Sequence, residues 1–69
     1  MDKAKLLILR DEIDRSGIKL GYLAKAMGIS NNTLTRKLDG RSEITIPEAH
    51  TICSVCAFPR DLSFYIFLS

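Results

Sequence analysis

Residues 23–40 read LAKAMGISNNTLTRKLDG. Gly28 and Gly40 bracket a segment whose two leucines, Leu34 and Leu38, stand four apart. That spacing is helical. Yet Asn31, Asn32, Thr33 and Thr35 are weak helix formers. A helix built from them must be held by docking rather than by propensity. Before Gly28, the residues Leu20, Leu23, Ala24 and Met27 share one helical face, which predicts a helix over 20–27. Gly28 accepts the positive φ that a tight corner between the two segments demands. Ala24 is small enough for a close crossing, and Leu23, Ile29 and Leu34 are spaced to plug the corner. Ser30 is placed to cap the helix predicted over 31–39, and Gly40 to end it.

Outward from this pair, the punctuation continues. Leu6, Leu9, Arg10 and Ile13 mark one face of a first helix over 3–16, apolar apart from the stem of Arg10, with Gly17 as its left-handed end. TIPE at 45–48 is a Thr-x-x-Glu capping box with proline in the first turn, and the helix it opens runs to about Cys56. Pro59 opens a fifth segment, PRDLSFYIFLS, read as one helical turn followed by an apolar tail. No strand pattern or repeat interrupts these segments. The expectation is an all-α, compact five-helix bundle, one domain over 1–69. At 69 residues the core is small. No apolar run approaches the ~20 residues that span a bilayer, and MDKAKLLILRDE lacks the form of a signal peptide. A cytoplasmic protein without a membrane partner is expected.

Charge is unevenly distributed. Residues 2–15 are neutral, with four cations against four acids. Residues 19–41 carry Lys19, Lys25, Arg36, Lys37 and Arg41 against Asp39 alone, a net +4. Residues 43–69 carry Arg60 against Glu43, Glu48 and Asp61, a net −2. A cationic patch on one segment is the footprint of a phosphate-rich partner, although a solvated surface can look the same.

The ordered set Leu23-Ala24, Gly28-Ile29 and Leu34, followed by TLTRKLDGRSEITIPEA at 33–49, resembles the phage Cro and lambda-type repressor family of helix-turn-helix proteins. The resemblance covers roughly residues 5–67. It implies a lambda-repressor-like domain of five helices whose third enters the DNA major groove, usually as a dimer on a two-fold operator. It implies a transcriptional regulator of phage or prophage type, with a double-stranded DNA operator and a second copy as partners. Many members have a Ser/Thr cap and a glutamine where this chain has Lys19 and Leu20, and asparagine where it has Asp39. Two other readings stay open: a degenerate helix-turn-helix that binds protein, and an antitoxin-type autorepressor.

At about 100° per residue, Leu34 and Leu38 mark the buried face of the third helix. Asn32 and Arg36 point away from it, with Thr33 and Thr35 flanking and Asn31 in the first turn. These types suit base edges: asparagine pairs with adenine, arginine with guanine, and a threonine methyl meets thymine. The candidate phosphate contacts are Lys19, Tyr22, Lys25, Lys37, Arg41 and Ser42.

Cys53 and Cys56 form a lone C-x-x-C with His50 nearby, too few and too divergent on one helix for a zinc site. With Ala49 and Ile52 they read as core thiols. No nucleophile–base set, phosphate loop or paired carboxylate is visible, so no catalysis, cofactor or small-molecule ligand is expected. Phe64, Tyr65, Ile66, Phe67 and Leu68 exceed what so small a bundle can bury and are expected to form a dimer contact.

Overall fold

A computed structural model describes residues 2–67. Its helices are α1 (Lys3–Arg15), α2 (Leu20–Met27), α3 (Asn31–Leu38), α4 (Ile46–Val55) and α5 (Arg60–Phe67). There is no strand among the described residues. No helix among them is long and apolar enough to cross a membrane. The chain packs to a radius of gyration of 10.7 Å.

Each helix contributes one large aliphatic side chain that is fully buried: Leu9, Leu23, Leu34, Ile52 and Ile66. Ala24, Ile13 and Cys56 complete the same cluster. α2 packs against α3 and α4, while α1 packs against α3 and α5. The corner residues behave as their spacing demands. Leu23, Ala24 and Leu34 are buried, and Ile29 packs half-buried against them. Leu20 departs from its expected apolar face and is exposed.

The predicted ends are present. Asp2 caps α1 through the Ala4 N–H. Arg15 bridges Asp11 at 3.2 Å, the expected i,i+4 pair. Gly28 adopts φ 74° at the corner. The Thr45 capping box is complete: Glu48 N–H donates to the Thr45 hydroxyl at 3.3 Å, and Thr45 N–H donates to Glu48 at 2.9 Å.

The fifth segment corrects its expectation. It is not one turn and a tail but a helix of eight residues. The chain leaves α4 through a left-handed residue, Ala57 at φ 54°. Phe58 N–H donates to the Cys53 carbonyl and Ala57 N–H to that of Ser54, the pairing that glycine usually closes. Pro59 then starts the new helix, its carbonyl accepting from Ser63 N–H at 3.0 Å. Leu62 and Ile66, four apart, face the core, so helical phase rather than bulk hydrophobicity decides the segment. The core thiols also divide: Cys56 is buried and Cys53 half-buried. Burial pushes the Cys56 thiol pKa up, with a hydrogen bond to Ser16 opposing.

These left-handed positions make opposite predictions. Ala57→Gly should raise stability by roughly 1 kcal/mol, since glycine lacks the penalty of a Cβ there. Gly40 sits at φ 84°, and a Cβ added to it would lie 3.1 Å from Leu6 Cδ1. Gly40→Ala should therefore cost more than the roughly 1–2 kcal/mol of the backbone alone. Urea titrations of the two variants should shift in opposite directions.

Candidate functional site

The site is built on α3. Ser30 begins it: its hydroxyl accepts from Thr33 N–H at 3.1 Å and lies 2.9 Å from the Thr33 hydroxyl. Thr33 is half-buried and its hydroxyl serves this cap. Leu34 and Leu38 are buried. Asn31, Asn32, Thr35 and Arg36 all stand exposed on the remaining surface of the helix. Gly40 closes the far end, where Arg41 N–H donates to the Arg36 carbonyl at 2.9 Å and Gly40 N–H to that of Lys37 at 3.2 Å.

Two side-chain contacts fix the rotation of this helix. The Lys37 ammonium donates to the Glu43 carbonyl at 2.8 Å and pairs with Glu48 at 3.0 Å. Its side chain is only 11% exposed. Lys37 was expected to face a phosphate; instead its charge is committed to the start of α4, because Glu48 already stands there as the capping residue of Thr45. Glu48 is held below the ordinary glutamate range. The Thr45 backbone N–H is the main cause, with the Lys37 hydrogen bond and charge adding, while partial burial acts the other way.

The second contact joins Arg10 of α1 to Asp39 at 3.1 Å. The acid at the end of α3 is thus paired rather than left to repel an anion. The sequence placed Arg10 among the inward-facing residues of α1 but gave no sign of its partner, 29 residues away.

The remaining cationic candidates are free. Lys19, Lys25, Arg36 and Arg41 are exposed, and no carboxylate pairs with them among the described residues. Lys19 precedes α2 without capping it. Tyr22 and Ser42 are exposed as well.

The expected dimer residues divide. Phe64 and Tyr65 are exposed, with Lys5 Nζ 5.7 Å from the Tyr65 ring centre. Ile66 is 2% exposed, a core residue and unavailable to a partner. Phe67 is half-buried, and Leu68 lies outside the described residues. Sequence reasoning missed Ile46, the most exposed large apolar side chain at 87%. Ile46, Ile44, Ala49, Phe64 and Phe67 line an apolar groove of about 530 Å³ between α4 and α5. The signal was an isoleucine in the first turn of a capped helix, where no buried stripe requires one.

No family model, curated protein or solved structure matches the chain.

The Glu48 contacts give a pH dependence. A carboxylate with a lowered folded value contributes stability at neutral pH and loses it as pH falls through that value. Glu48→Gln should cost about 1–2 kcal/mol at pH 7. The difference from the parent should shrink in acid, as the parent's own Glu48 becomes protonated. Denaturant midpoints measured across the acid range would check it; a constant difference would mean that the charge of Glu48 is immaterial.

Proposed function

We propose that the protein is a sequence-specific double-stranded DNA-binding transcriptional regulator. In this reading α2 and α3 form a helix-turn-helix of the Cro and lambda-type repressor kind, and α3 reads an operator's major groove. One observation carries it: two amides, a hydroxyl and a guanidinium (Asn31, Asn32, Thr35 and Arg36) share the exposed surface of a helix whose other face is buried. Such residues are poor choices for a structural helix and good ones for base edges. Thr33 then supports the cap and Lys37 the orientation, rather than touching DNA. Lys19, Tyr22, Lys25, Arg41 and Ser42 remain to meet the phosphates that set the register.

Binding-site selection from a random duplex library at two salt concentrations tests this reading. A recovered consensus whose affinity falls steeply with salt supports it. A protein-interaction module would give neither. Arg36→Ala should lose roughly 1–3 kcal/mol and relax preference at one base position. Equal weakening on every sequence would make Arg36 a phosphate contact.

The partner in solution is a second copy, seated in the groove between α4 and α5. The chain measures 27 × 23 × 20 Å, whereas recognition helices on successive grooves stand about 34 Å apart. Two copies side by side meet that spacing only if each α3 lies outward of its protomer's centre. A contact through α4 and α5 favours this, because α3 packs on α1 and α2. Ile46 and Phe64 protrude beside the groove and give each copy both a ridge and a recess. Phe64→Glu, at an exposed position, should leave the fold intact, shift sedimentation toward monomer and weaken binding to the full operator more than to a half-site. An unchanged dimer would move the contact elsewhere.

A further inference from the structure

Gly21 lies in the first turn of α2, where glycine is unfavourable relative to alanine. Unlike Gly17, Gly28 and Gly40, it does not adopt a positive φ. The backbone therefore gives no reason for glycine. Its surroundings give one. A Cβ at position 21 would meet a single neighbouring side chain, the amide of Asn31, with Nδ2 at 3.6 Å and Oδ1 at 3.8 Å. Both residues are exposed. No hydrogen bond to another described residue holds that amide, so the bare backbone of α2 is its support.

We infer that Gly21 is a specificity-positioning residue, whose missing side chain lets the Asn31 amide rest on α2 with both polar atoms turned to a base edge. The inference rests on the DNA-reading role proposed above. Bidentate pairing with adenine needs the oxygen and the nitrogen of the amide together. An alanine Cβ would stand in ordinary van der Waals contact with that amide and leave it in place. A longer side chain would put carbon where the amide now lies and turn Asn31 away.

Site selection with the parent, Gly21→Ala, Gly21→Leu and Asn31→Ala tests this, with melting temperatures measured in parallel. Gly21→Ala should keep the consensus and melt higher. Gly21→Leu should melt no lower than the parent, since leucine is a strong helix former at an exposed site. It should nevertheless flatten one position in each half-site, a preference of roughly tenfold or more, and that position should be the one flattened by Asn31→Ala. A helix-stabilising substitution that changes a single base preference is not explained by a merely structural role. Gly21→Met carries the same test should the leucine variant not fold. The inference is overturned if the long-chain variant keeps the parental consensus. It is equally overturned if all sequences weaken alike with a shallower salt slope, since Gly21 would then admit a phosphate. Failure of the parent to select any consensus would instead sink the DNA-reading role itself.

Discussion

α3 depends on Leu34 and Leu38. Eight residues are fewer than the ~12–15 that an isolated helix needs even with good formers. Asparagine and threonine make it weaker still. Burying a leucine contributes about 1.5–3 kcal/mol, and these two tie α3 to the cluster that every other helix also enters. The capping hydroxyl of Ser30 and the left-handed Gly40 then satisfy the helix ends. The consequence is a division of labour by side. The buried side supplies the stability, so the exposed side is free to carry residues chosen for something other than helix formation.

The charged contacts sort the cationic patch rather than strengthen the fold uniformly. Arg10–Asp39 is largely exposed, and pairs of that kind contribute about 0–1 kcal/mol. Its effect is electrostatic: it cancels the acid at the end of α3. Lys37 is different. Nearly enclosed and held by both Glu48 and the Glu43 carbonyl, it links the end of α3 to the start of α4. A charge removed from solvent in this way cannot also steer an anion. Sequence counting therefore overstates the cationic field of residues 19–41, and pairing locates what remains on Lys19, Lys25, Arg36 and Arg41.

Local chemistry was legible where it was strong. The capping box at Thr45, the corner at Gly28 and the leucine phase of α3 each rest on residues within one or two turns, and each formed as read. What escaped the sequence was long-range or in conflict with habit. Arg10 and Asp39 meet only because α1 packs on α3. Lys37 looked like any surface lysine until α4 brought Glu48 beside it. Ala57 occupies a left-handed position that glycine usually holds, so the turn into α5 carried no signature. The apolar run after Pro59 then hid a helical phase, and Ile66 was taken for a surface residue when it belongs to the core.

The site was legible in kind more than in membership. The helix wheel correctly turned Asn32 and Arg36 outward, but a wheel cannot tell an exposed hydroxyl from one engaged in a cap, as Thr33 is. Nor can it show a side chain resting on a neighbouring helix, as Asn31 does on Gly21. The same limit applies to the apolar surplus. So small a bundle has little interior, and five helices fill it with one large aliphatic side chain each. Ile46 and Phe64 then have no inward position left to take. They stand together beside one groove, formed by the two helices that do not make the corner with α3. Small size thus pushes the surplus apolar surface onto α4 and α5, while the polar surplus collects on α3. The segregation follows from packing geometry, and it gives the chain two faces of different chemistry without a second domain to separate them.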